Sequence, residues 1–148
     1  MEEALQIGHI SVSEMSEYRI ISEDATIVWA CRRRTQEDLD RLRAQLDKMA
    51  ACVNNSLAYI AMDPEFHGML AAAGKNTVSV VMSQTLSSIN QDFMRTKIAS
   101  MDEQSQRDMF QKVHEMHEAI YEAVKAQDEQ LACAAMEHHL VAFEMDLK

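Results

Sequence analysis

Four residues in this sequence have metal-binding side chains at spacings that could bring them together. Asp63 and His67 stand four apart in Asp63-Pro64-Glu65-Phe66-His67. Pro64 disfavours helical geometry at the residue before it and suits the first position of a helix, so Asp63 is expected at a helix mouth with His67 one turn on, on the same side. A carboxylate and an imidazole so placed can share one divalent ion, although the plainer reading of the pair alone is an N-cap beside a half-buried histidine. His117 and His139 supply further ligands. His117 lies in a stripe with Phe110, Val113, Ile120 and Val124, and His139 shares a side with Leu131, Ala135, Ala142 and Phe143. At about 1.5 Å per residue the chain climbs about 14 Å from His117 to a turn at Gln127 and Asp128, then descends about 16 Å to His139. The two imidazoles therefore lie level on adjacent antiparallel helices. Three His and one carboxylate make a nitrogen and oxygen site for one divalent transition metal, zinc first, with nickel, manganese and iron(II) also suited and positions left for water or a small anion.

Two neighbouring histidines do not fit this set. His114 and His117 are three apart, not the four that the H-E-x-x-H of zinc proteases needs, and His138 points about 100° away from His139 around the helix. No E-x-x-H occurs in the chain, which argues against a ferritin-like di-iron bundle. Arg19 shares a stripe with Met15, Ser22 and Thr26, and an inward guanidinium requires an anion. Glu23, four residues on, could serve on the helix surface, or a bound organic acid could serve in the interior. An Arg and an open metal position together suit a small carboxylate or hydroxy acid with a second oxygen to chelate.

The elements that must position these residues are helices. Three Gly and one Pro in 148 residues leave too few turn formers for a sandwich or barrel, and 47% apolar residues suit one domain. Six helices are expected. The first runs from Ser11 or Ser13 to Arg34, with Arg32, Arg33 and Arg34 complementing its negative end rather than reading nucleic acid. The second opens at Thr35, carries Leu39, Leu42, Leu46 and Met49, and ends near Asn54 and Asn55. The third holds Phe66, Met69 and Leu70 and stops at Gly74, a left-handed C-cap. The fourth spans Asn76 to about Ser100, the fifth Asp102 to Ala126, and the sixth runs from Asp128 to the end. Ser79, Ser83, Thr85, Ser87, Ser88 and Asn90 in the fourth mark either a polar cavity or, as composition favours, a solvated face. Short connections make the whole an all-α, antiparallel up-and-down bundle.

Charge and cysteine use narrow the setting. With 24 acidic and 14 basic residues the net charge is -10, so this chain should not bind nucleic acid directly. Neither a transmembrane span nor a signal peptide is visible, and a cytoplasmic protein without membrane contact is expected. Cys31, Cys52 and Cys133 form no C-x-x-C pair and read as buried thiols in a reducing compartment.

From about Ser11 to Leu140 the sequence resembles the C-terminal effector domain, FCD, of GntR-type bacterial transcription regulators of the FadR-like branch. Arg19 and Glu23 match its R-x-x-x-E, and Arg33-Arg34-Thr35-Gln36-Glu37-Asp38-Leu39 matches the start of its second helix. Asp63 to His67 matches D-x-x-F-H, and Gly74-Lys75-Asn76 stands where the family has G-N. His117-Glu118-Ala119-Ile120, Ala123-Val124, Asp128 and Met136 to Leu140 match the end. The resemblance implies an effector-binding domain, not an enzyme, over residues 11–148, with 1–10 a remnant or linker. A cavity would hold one divalent metal on Asp63, His67, His117 and His139, with Arg19 and Asn76 or Arg95 contacting an organic-acid effector. DNA would be bound by an attached winged helix that this chain lacks, and a homodimer is the expected assembly. The competing function is a metal-dependent hydrolase, since an open metal held by His and Asp can activate water. Glu65 and Glu118, near the ligands in sequence, should point elsewhere and leave such an enzyme without a general base.

Overall fold

A computed structural model describes residues 6–147. A two-residue ribbon, β1 (Gln6–Ile7) with β2 (Ile10–Ser11), precedes six helices: α1 (Val12–Arg33), α2 (Gln36–Ala50), α3 (Ser56–Ala73), α4 (Thr77–Ile98), α5 (Glu103–Lys125) and α6 (Glu129–Leu147). Of the segment expected to be a remnant or linker, residues 1–5 lie outside the described residues, while Ile7 packs against the core.

Side-chain caps start the helices. Ser11 and Glu14 form a capping box on α1, Thr35 and Asp38 form another on α2, and Asn55, Asn76 and Asp102 cap α3, α4 and α5. Asp128 Oδ1 accepts from the Leu131 amide at the start of α6. Helix α1 packs along α6 and also meets α3 and α4, while α5 closes the bundle against α6 and α2. Between them lies a core that includes Ile27, Leu42, Leu46, Tyr59, Phe66, Phe93, Phe110, Ile120 and Met136.

The three consecutive arginines are structural. Arg32 pairs with Glu129 at the opening of α6, Arg33 donates to the Gly74 carbonyl, and Arg34 donates to the Val124 and Lys125 carbonyls at the end of α5. Arg33 and Arg34 thus meet C-terminal carbonyls, where a helix end is negative, and Arg32 meets a carboxylate.

Three expectations need correcting. Helix α3 starts at Ser56, not at Asp63, so Pro64 lies inside it. Pro64 has no N–H for the Ile60 carbonyl one turn back, and the Gln91 side-chain amide of α4 donates to that carbonyl instead, at 2.9 Å. Next, Gly74 has φ -75, and the left-handed residue is Lys75, φ 58. A Cβ at 74 would stand 3.1 Å from the Trp29 Cβ, where α3 ends against α1, so a larger residue there would require the neighbour to shift by a few tenths of an ångström. Lastly, α2 stops at Ala50 and a turn carries the chain to Asn55. Among the cysteines Cys31 is buried, whereas Cys52 and Cys133 are half-buried. No described helix is long and apolar enough to cross a membrane.

Candidate metal centre

Helix α3 places Tyr59, Asp63 and His67 at successive four-residue steps along one face. Phe110, Val113, Ile120 and Val124 bury the stripe on α5 that carries His117, and Met136 and Leu140 bury the face of α6 that carries His139. The result is one constellation. Asp63, His67, His117 and His139 each offer a ligand atom, and these atoms all lie within 4.8 Å of one another. The three histidines are buried.

Asp63 Oδ1 is 3.0 Å from His117 Nε2 and 3.5 Å from His67 Nε2. The His139 ring stacks on His67 at 5.4 Å and meets His117 edge-on at 4.6 Å. His67 Nδ1 and Nε2, His117 Nε2 and His139 Nδ1 are buried without a hydrogen-bond partner. Buried polar atoms are normally satisfied, so this concentration of unpaired ring nitrogens around one carboxylate marks a place for a cation. Two donor atoms on opposite sides of a metal ion stand about 4.2 Å apart, twice a nitrogen to metal bond of about 2.1 Å. In the tetrahedral arrangement usual for zinc the separation is shorter, about 3.4 Å, so the most widely spaced atoms of the cluster would have to draw together to close on such an ion.

Burial pushes the Asp63 carboxyl up, but His67 and His117 outweigh it and hold the group well below the usual carboxylate range. Burial, reinforced by the charges of His117 and His67, holds His139 well below the ordinary histidine value. Burial lowers His117 as well. Both effects favour an ionised Asp63 and neutral imidazoles, the states in which they bind metal.

Beside the cluster is a cavity of about 20 Å³ lined by Tyr59, Asp63, Asn90, His139 and Phe143, among others. A second, of about 10 Å³, is lined by Ser16, Arg19, Asn90, Phe143 and Glu144, among others. Asn90 and Phe143 belong to both. Arg19 is buried, with Nε and Nη2 unpartnered and Nη2 3.6 Å from Glu23 Oε1. Glu23 is buried too, so the surface partnership suggested by the spacing is an interior one. Ser83, Ser87 and Asn90 of α4 are buried with unpartnered side-chain oxygens, whereas Thr85 and Ser88 face solvent. The solvated face that composition favoured thus accounts for only part of the polar residues in α4.

The other two proposed effector contacts fall elsewhere. Asn76 caps α4, accepting from the Val78 and Ser79 amides at 3.0 and 3.3 Å. Arg95 is exposed and lies 3.6 Å from Asp92 on its own helix. Neither lines the two cavities, and Asn90 stands where they were expected.

Tyr59, not singled out from the sequence, and His114, set aside there as a ligand, both adjoin the cluster. The Tyr59 hydroxyl lies 2.8 Å from His117 Nδ1 and 3.0 Å from His114 Nδ1, and His114 Nε2 lies 3.3 Å from Glu118 Oε1. Arg43 of α2 clamps Glu118 with two hydrogen bonds, at 2.6 and 2.8 Å. The signal was available, because Tyr59 precedes Asp63 by four and His114 precedes His117 by three.

The FCD domain family matches residues 14–142. The regulator LutR of Bacillus subtilis is 31% identical over 143 residues, covering 95% of this chain and 64% of that protein. The galactonate operon transcriptional repressor of Escherichia coli is 30% identical over 118 residues, covering 79% and 49%. The chain thus spans about half to two thirds of the length of the curated relatives it matches. Among solved structures, E. coli McbR/YncC superposes with a TM-score of 0.82 at 15% identity, over 96% of this chain and 70% of that one. Streptococcus agalactiae GntR superposes with 0.75 at 19% identity, over 90% and 58%. The six-helix bundle is shared, and with a family match over nearly the whole of its length the chain belongs to the FCD family, the effector-binding domains of GntR-type transcription regulators.

Proposed function

We propose that this domain senses a small organic acid through a bound divalent transition metal, zinc foremost, and that in the full regulator the acid changes the DNA affinity of an attached winged helix. One observation carries the reading: four metal-ligand side chains converge beside one cavity, and a second cavity that shares Asn90 and Phe143 with it is lined by the buried guanidinium of Arg19, two of whose nitrogens have no hydrogen-bond partner. Asp63, His67, His117 and His139 would hold the ion, and Arg19, with Asn90 in place of Asn76 and Arg95, would meet the acid. A carboxylate with a neighbouring hydroxyl can chelate a metal while an Arg neutralises remaining charge. The name of the galactonate operon repressor ties one relative to an operon for a hydroxylated acid. A cytoplasmic homodimer is the setting we infer.

The geometry is less suited to a hydrolase. Glu118 is held by Arg43 and His114, and Glu65 is exposed and accepts from Gln45. Neither is free to activate water at the cluster.

Calorimetry on zinc-loaded protein across small hydroxy and dicarboxylic acids tests the proposal. At least one should bind, lose affinity in Arg19→Ala, recover part of it in Arg19→Lys, and fail to bind after chelation. An acid bound equally well by metal-free protein and by Arg19→Ala would overturn it.

A further inference from the structure

Tyr59 and His114 are outside the four-ligand cluster, but they join it to the surface through an unbroken series of polar contacts. Glu118, His114, Tyr59, His117 and Asp63 follow one another at 3.3, 3.0, 2.8 and 3.0 Å. Ionised Glu118 and Asp63 accept only, each neutral imidazole has one N–H, and the phenol has one O–H. Three protons must therefore serve four contacts, and one contact faces lone pair to lone pair.

The Arg43 clamp holds Glu118 in place as an acceptor and favours a proton on His114 Nε2. His114 Nδ1 is then an acceptor for the Tyr59 hydroxyl, whose oxygen in turn accepts from His117 Nδ1–H. All three protons are used in this order, and the uncovered contact is the last one, His117 Nε2 against Asp63 Oδ1. Two acceptors at 3.0 Å are what a cation would bridge. A metal-ligating histidine commonly donates its other ring N–H to a neighbour that fixes tautomer and orientation.

We propose that Tyr59 and His114 are positioning residues of the metal centre: with Glu118 and Arg43 as anchor, they hold His117 in the Nδ1–H tautomer and aim its Nε2 lone pair at the ion. This rests on the metal reading above and adds to it. It also gives His114 a role its spacing had denied it, as a support rather than a ligand. Helix α2 contributes no ligand to the cluster, yet through Arg43 it helps determine whether His117 is ready to bind.

The test is zinc affinity of the full chain by competition with a chromophoric chelator, in wild type, Tyr59→Phe, His114→Ala, the double variant and His139→Ala. Tyr59→Phe keeps the ring that packs on Phe110 and removes only the hydroxyl. It should weaken zinc about 10- to 100-fold, the usual effect of losing such a support. His114→Ala should weaken it by no more than Tyr59→Phe does, and the double variant should match Tyr59→Phe, since His114 acts only through the phenol. Nitrogen-15 spectra of the zinc-loaded protein should show His117 protonated at Nδ1 in wild type and a mixture of forms in Tyr59→Phe. Wild-type affinity in Tyr59→Phe, or fully additive losses in the double variant, would overturn the relay while leaving the metal centre standing. No zinc bound by wild type, or unchanged binding in His139→Ala, would instead overturn the metal reading on which it rests. Circular dichroism and melting of the metal-free variants identify any loss that reflects unfolding.

Discussion

At the scale of single residues, the buried imidazoles of His117 and His139 beside Asp63 make stability depend on pH. His139 has its proton affinity lowered by burial and by His117 and His67. Between the unfolded value, 6.5, and the lower folded one, the unfolded chain takes up a proton that the folded chain refuses. Its contribution to stability is therefore complete above 6.5 and is lost as pH falls toward the folded value. Metal-free protein should melt at progressively lower temperature as the buffer is taken from pH 7 to pH 5. His139→Ala should lose part of that slope and should bind no zinc, whereas His138→Ala, at an exposed position, should alter neither. A slope unchanged in His139→Ala would mean that His139 is not held neutral by its surroundings. The convergence of Asp63, His67, His117 and His139 was legible because each member declares itself by type and helical spacing. The burial of Glu23, Ser83 and Ser87 was not, since whether a polar side chain faces water or a cavity depends on which helix lies opposite it.

At the scale of elements, caps made helix boundaries readable, and Pro64 made one of them misleading. Asn55 caps α3 nine residues before the proline, and Gln91, distant in sequence, makes the proline tolerable there by donating to the stranded Ile60 carbonyl. Long-range compensation of this kind has no local signature. A proline in a helix interior costs about 3 kcal/mol, and one compensating hydrogen bond offsets about 1. Pro64→Ala should therefore stabilise metal-free protein by about 1–2 kcal/mol, raising its melting temperature by a few degrees. The same change should weaken zinc binding, because Asp63 precedes the proline and takes its direction from the local backbone. A lower melting temperature in Pro64→Ala would show that α3 carries no strain at this point.

At the scale of the whole molecule, the bundle persists at 15–19% identity to its structural neighbours, which fits a fold specified by apolar periodicity and caps more than by particular side chains. In the layer between the helices, two cavities of about 20 and 10 Å³ share Asn90 and Phe143 in their linings. Each has room for about one water molecule. For the proposed acid, if it has several carbons, to reach both the cluster and Arg19, a side chain that lines both cavities must move, and Phe143, near the end of α6, is one of the two that line both. This partition makes recognition a question of time as well as affinity. Arrival of the acid should be limited by opening of the α6 end, so in stopped-flow measurements the observed rate should level off as ligand concentration rises, at the opening rate. Phe143→Ala should lift that plateau and shorten the residence time of the bound acid. An observed rate that stays linear in wild type up to high ligand concentration would mean that the passage is already open. With the partition in place, brief rises in effector would go unregistered and only sustained ones would fill the site, so the aromatic ring would act as a filter on the duration of the signal.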